Sequence, residues 1–372
     1  MFARQFSGAP RGLPARIQKR PRHSNASAPA PQFRRSARAC HFVEIPQACF
    51  LKPQPFSDIL AGAMSSSSRQ TRTGLLFVAP WLAGFVMLTV YPFAQSLYWS
   101  FCRYDLLSEP RWVGGANYRR LAAEIGRGDE FGQALWNTAY YALLAVPGSV
   151  LLGVGLAVAL NLRVRGQAVY RTLFFIPSIV PTVATSILWM WLLNPTRGLV
   201  NRLLEPTGLA PTWLNSSAEA LNPAEWWNGT AGLGSKDALV LMTLWGVGNF
   251  MIIYLAALGH IPGEMYEAAR LDGAGRLRQF TAVTLPHLTP VIFFNVVMGL
   301  VAAVQYFTQA YVVSGGSGGP QGSTRVLSLH VFLWSFKYLD AGYASAAAWV
   351  LFVIVAAVTV LLFRSARRWV HY

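Results

Sequence analysis

Few side chains in this 372-residue sequence have the type and spacing to do chemistry. Its six histidines (His23, His41, His260, His287, His330 and His371) are scattered with no pair at i, i+4, and Cys102 stands alone in the body, far from Cys40 and Cys49. A disulfide framework and a Cys/His metal site are thereby excluded there. No G-x-x-x-x-G-K-[ST] loop cradles a nucleotide phosphate: Gly232, Leu233, Gly234, Ser235 and Lys236 are wrongly spaced, and the glycine-rich stretch from Ser314 to Thr324 has no lysine. What remains is polar and aromatic residues inside apolar runs, together with one polar connection between two of those runs. Trp245, Asn249 and Tyr254 lie in one run, and Asn295, Gln305, Tyr306 and Gln309 in the next. On a continuous helix Trp245 and Asn249 share a face, as do Gln305 and Gln309. Amides and aromatic rings suit a polar solute such as a sugar; equally, such amides hydrogen-bond neighbouring helices within a bundle.

The elements that position these residues follow from composition. The chain is 53% hydrophobic and 12% charged, against about 25% charged in a soluble domain. Six runs free of Asp, Glu, Lys and Arg are each long enough to cross a hydrocarbon layer about 30 Å thick: approximately Gly74 to Phe101, Ala134 to Leu162, Thr172 to Leu193, Ala238 to Leu258, His287 to Val313 and Tyr343 to Phe363. An all-α, polytopic membrane protein with six transmembrane helices is expected. Charge-free spans argue against a proton-coupled carrier, which keeps ionisable groups at membrane depth, and against an intramembrane hydrolase. Trp81, Tyr98, Trp99, Trp189, Trp191 and Trp369 sit where interfacial anchors belong. Pro80, Pro92, Pro147, Pro177 and Pro181 interrupt spans, so neighbouring helices must satisfy the freed backbone groups.

The net charge of +16 divides in an informative way. Residues 1 to 63 form a basic, Pro/Ser/Ala-rich leader contributing +8, read as disordered. Met64, followed by four serines, Arg69 and Arg72, is a more natural start for a membrane protein, so the expectation is that the leader is a start-site artefact. The remainder, 64–372, is then expected to be one six-span membrane domain. The connections holding Arg163, Arg165 and Arg171, and Arg270, Arg276 and Arg278, join the C-terminal Arg364, Arg367 and Arg368 and Arg69 and Arg72 in a net +8, while the other three connections are neutral. By the positive-inside rule both termini are cytoplasmic, and the charge records orientation, not affinity for nucleic acid.

The connection over residues 260–286 is the most distinctive stretch. Pro262 suits a helix start, Glu264 and Glu267 complement its positive end, and Gly273 suits its C-terminal cap. The reading is a helix from Gly263 to Asp272, a turn over Gly273 to Gly275, and a second short helix reaching Pro286. Ala268 and Ala269 give the first helix little bulk, so another protein could approach its backbone.

Glu267-Ala268-Ala269, Asp272-Gly273-Ala274, Phe280, Thr284-Leu285-Pro286 and Pro290 together resemble the EAA loop of ATP-binding-cassette importer permeases, carbohydrate-importer subfamily. Phe174 to Pro177, Trp189 to Pro195, Gly198 to Asn201 and Val312 to Thr324 extend the resemblance over nearly all of residues 70 to 372. It implies a type I ABC importer permease fold, and a coupling helix in which Glu267, Ala268, Ala269, Asp272 and Gly273 meet a separate ATPase subunit. ATP and Mg would be bound there; this chain would be no enzyme and would hold no cofactor or metal. The implied partners are a second homologous permease, an ATPase dimer, a periplasmic or lipid-anchored solute-binding protein and the bacterial cytoplasmic membrane. The implied function is sugar or oligosaccharide import by ATP-driven alternating access, along a path including Trp245, Asn249, Asn295, Gln305, Tyr306 and Gln309. Glycerol 3-phosphate or a polyol is the alternative cargo, and a non-transporting membrane scaffold or receptor the alternative class.

Overall fold

The computed structural model describes residues 73–162, 166–207, 211–220 and 233–370. The leader over 1–63, the start at Met64, and Arg69, Arg72, Arg163 and Arg165 lie outside the described residues.

Charge-free runs become helices because, away from water, a backbone must satisfy its own N–H and C=O groups. Helix α1 (Thr73–Ser100) leads through a hairpin of β1 (Cys102–Arg103) and β2 (Arg111–Trp112), with Cys102 opposite Trp112, to α2 (Ala116–Arg127) and the long α3 (Glu130–Asn161). There follow α4 (Gln167–Ile179), α5 (Thr182–Leu192), α6 (Leu199–Leu204), α7 (Ser235–Trp245), α8 (Gly248–Gly259) and α9 (Gly263–Leu271). Helix α10 (Arg276–Gln279) continues through a π-helical segment, Phe280–Thr284, into α11 (Leu285–Val304); α12 (Thr308–Val313), α13 (Leu327–Phe332) and α14 (Ala341–Ala366) complete the chain. Among the described residues four helical stretches, Thr73–Ser100, Glu130–Asn161, Arg276–Val313 and Ala341–Ala366, are long and apolar enough to cross a membrane; the number reaches six if the bent pairs α4 with α5 and α7 with α8 each count as one crossing.

Helix α3 lies at the centre, with α7, α8, α11 and α13 packed on it, while α1 lies along α14. Tyr141, Trp189, Leu239, Tyr306 and Leu329 belong to one core cluster, and Met251, Tyr254 and Leu288 to another. Small residues let helices close up. Added to Gly248, a Cβ would strike the Phe174 carbonyl oxygen, so the start of α8 rests directly on the α4 backbone.

Several expectations need correction. The third run, read as one helix from Thr172 to Leu193, is broken by 99° between α4 and α5. Pro181 lacks an N–H and holds Val180 extended (ψ 132°), which ends α4. The fourth run bends by 43° at Gly246–Val247, so Trp245 and Asn249 stand on different helices and share no continuous face. Gln305 and Gln309 are likewise separated, because α11 ends at Val304 and α12 starts at Thr308. The helix entering Pro286 does not stop there; a proline in a first turn costs no hydrogen bond, and α11 carries on. Trp189 is buried in the core against Trp245, with ring centroids 6.0 Å apart, so it is no interfacial anchor. Helix α7 begins at Ser235, earlier than the expected Ala238, and so carries buried Lys236 and Asp237 in its first turn.

Candidate functional site: a central cleft and an exposed loop helix

Three interruptions converge on one place. Val180 beside Pro181, Gly246 between α7 and α8, and Tyr306 between α11 and α12 all line a cleft of about 340 Å³, bordered by Val146 and Ser149 halfway along α3. Irregular backbone at span depth is tolerated where it faces a cavity. Pro181 and Gly246 account for the first two interruptions, and the result is a hollow where regular helices would pack shut.

Five of the six expected path residues, Trp245, Asn249, Asn295, Tyr306 and Gln309, line this cleft. Gln305 does not; the break after Val304 leaves it exposed. The rings of Tyr141 and Tyr306 lie 4.1 Å apart, and the Tyr141 hydroxyl is 2.7 Å from Thr243 Oγ1. Asn295 is 2% exposed, yet its Nδ2 has no hydrogen-bond partner among the described residues. Tyr141, Ser149, Ser178, Thr185 and Thr243 also line the cleft, and the sequence reading missed them. Asn137, Thr138, Tyr140 and Tyr141, four polar-edged residues inside one apolar run, were the available signal.

One end of the bundle is cross-tied. Asn137 Nδ2 donates to the carbonyls of Gly322 (2.7 Å) and Arg325 (2.9 Å), Thr138 Oγ1 accepts from the Leu327 N–H (2.8 Å), and Ser235 Oγ meets Ser323 Oγ at 2.6 Å. Lys236 and Glu219 form a buried ion pair, and the Tyr140 hydroxyl donates to Asp237 Oδ1 at 2.6 Å. Near this end Arg120 bonds Glu124 (3.1 Å) and Asp340 (3.2 Å) and lies over the rings of Trp334 and Tyr343. His330, fully buried on α13, is pushed down to about 3, first by burial and then by the charges of Arg325 and Arg120. It is neutral at ordinary pH.

The loop helix α9 is the opposite case. Gly273 has φ +74°, Ala274 N–H reaches the Ala269 carbonyl (2.9 Å) and Gly273 N–H that of Arg270 (3.0 Å), a Schellman cap. The expected glycine cap is thus present, with Asp272 as the cap residue and α9 ending at Leu271. Glu267, Ala268, Asp272 and Gly273 are exposed and Ala269 is half-buried. Leu271 is 90% and Leu277 78% exposed, an apolar pair at the loop tip. The Tyr266 hydroxyl, 3.0 Å from Thr284 Oγ1, ties α9 to the helical run entering α11.

Residues 149–371 match the family described as binding-protein-dependent transport system inner membrane component. The probable ABC transporter permease protein YesP of Bacillus subtilis is 40% identical over 84% of this chain and 97% of that protein. The sulfoquinovosyl glycerol transport system permease protein SmoG of Agrobacterium fabrum is 32% identical over 79% of this chain and 90% of its own length. In three dimensions the chain superimposes on a component of the bacterial alginate ABC transporter, solved with alginate pentasaccharide-bound periplasmic protein, with TM-score 0.66 over 82% of this chain and 96% of that one; at 20% identity this likeness carries the fold alone. The chain belongs to the binding-protein-dependent transport system inner membrane components and is an ABC importer permease.

Proposed function

We propose that the chain is a sugar-translocating permease subunit, with the central cleft as its share of the path and α9 as the helix that docks on an ATPase. The observation that carries this reading is the convergence of three helix breaks on an uncharged cleft walled by Tyr141, Trp245 and Tyr306 and by the amides of Asn249, Asn295 and Gln309. Rings cover the apolar faces of a saccharide while amides meet its hydroxyls. Relatives whose names specify cargo support it: a lactose transport permease of Rhizobium radiobacter is 32% identical over 79% of this chain.

In this mechanism both termini are cytoplasmic, which puts α9 on the ATPase side. Glu267, Ala268 and Ala269 form its contact face, Asp272 adds a rim charge, and Gly273 sets the angle at which the helix leaves. ATP and Mg act on the ATPase subunits. Their closure pushes α9, and the Tyr266–Thr284 contact passes the displacement to α11, whose Asn295 lines the cleft. A second permease completes the path and a binding protein delivers solute. Coupling requires the solute to bind the two states with different affinity.

The test is reconstitution of the chain with its partner permease, ATPase and binding protein. Solute-stimulated ATP hydrolysis and sugar uptake are expected, and Gly273→Val should abolish both while the membrane subunits still assemble. ATPase activity indifferent to every sugar supplied would favour a scaffold or receptor.

A further inference from the structure

Resting on the sugar-import reading, we infer that this cleft selects electrically neutral solutes and rejects acidic sugars. Relatives with this fold are named for acidic cargo, including an importer of the acidic polysaccharide alginate, so the fold by itself leaves the sign of the cargo open. The lining decides it here. Among the described residues, every one at the cleft wall is apolar, aromatic, hydroxyl or amide, with no Arg, Lys, His, Asp or Glu.

Three nearby charges are spent elsewhere. Lys236, two turns before Thr243 on α7, is paired with Glu219, and Asp237 accepts from Tyr140 and from the Gly234 N–H. Arg325 is paired with Glu130 at 2.8 Å. Helix ends supply no net substitute. At each break the negative C-terminal end of one helix, α4, α7 or α11, is followed by the positive N-terminal end of the next, so the partial charges oppose one another. Pro181, at the start of α5, has no N–H to offer. A carboxylate or sulfonate entering this cleft would surrender its hydration with no counter-charge to replace it. A neutral ring loses much less and meets the Trp245 ring and the amides of Asn249 and Gln309.

The experiment is saturation-transfer NMR on the assembled permease–ATPase complex in lipid nanodiscs, without binding protein, so that only the translocation path is sampled; the Trp245→Ala and Asn249→Lys variants assign the signal to this chain's cleft. The probes are lactose, cellobiose and digalacturonic acid. Lactose or cellobiose should bind at least 100-fold more tightly than digalacturonic acid, and Trp245→Ala should remove that binding. Asn249 is exposed on the cleft wall, so Asn249→Lys adds a solvated cation there and should improve digalacturonate binding tenfold or more. Digalacturonate binding as tightly as the neutral disaccharides, or no response to Asn249→Lys, would overturn the inference and leave sugar import standing. Binding of none of the three would overturn both.

Discussion

The two ends of the bundle are built on opposite principles. Where α3 begins, the Ser314–Arg325 segment, α7 and the segment around Glu219 are stitched by Asn137, Thr138, Ser235, Lys236 and Asp237, mostly buried and each with a partner within the chain. At the other end α9 holds itself together with a Schellman cap and a single hydroxyl contact, and leaves Leu271 and Leu277 in the open. Burial makes polar groups dependent on one another, so the first end is cooperative and intolerant of change. Exposure leaves the second end's side chains with little to do for folding, which is how a surface reserved for another subunit should look.

That contrast can be broken by mutation. The largest effect belongs to the buried pair: Glu219→Ala leaves Lys236 in a 5% exposed position without its ionic partner, and should cost about 3–5 kcal/mol in thermal unfolding of the detergent-solubilised chain. Next comes acid. Because His330 titrates near 3 when folded and near its ordinary 6.5 when unfolded, the unfolded state binds the extra proton between those values. Stability is therefore full above about pH 6.5 and falls by about 1.4 kcal/mol per unit as pH drops toward 3. His330→Asn should flatten that slope, as seen by Tm measured across pH.

Effects at the loop end should be smaller for folding and larger for assembly. Gly273→Val forces a branched side chain into φ +74°, a strain of roughly 1–2 kcal/mol confined to the cap; Tm should move little while ATPase co-purification is lost. Leu271→Ser, at 90% exposure, should change stability by less than about 0.5 kcal/mol and weaken ATPase retention several-fold. A large Tm loss from Leu271→Ser, or none from Glu219→Ala, would erase the distinction between the ends.

Much of this was legible beforehand because it depends on short-range rules. Gly273 caps α9 because a left-handed residue is needed immediately after a helix, and the runs between charges become helices wherever they lie. Gln305 and Trp189 were misplaced for a different reason. Face assignments assumed unbroken helices, and the break after Val304 and the 99° bend at Pro181 rotate everything beyond them. Thr243 and Thr185 gave no individual signal, since a hydroxyl in a span reads the same whether it meets a cavity or a neighbouring helix.

By itself, then, the sequence determined an all-helical chain of long charge-free runs and the glycine-capped helix between two of them, since propensity, charge and backbone conformation act over a few residues. Only the tertiary structure decided that the interruptions meet in one uncharged cleft and that Lys236, Asp237 and His330 are buried at the tied end, because cavities and burial are properties of how distant segments pack.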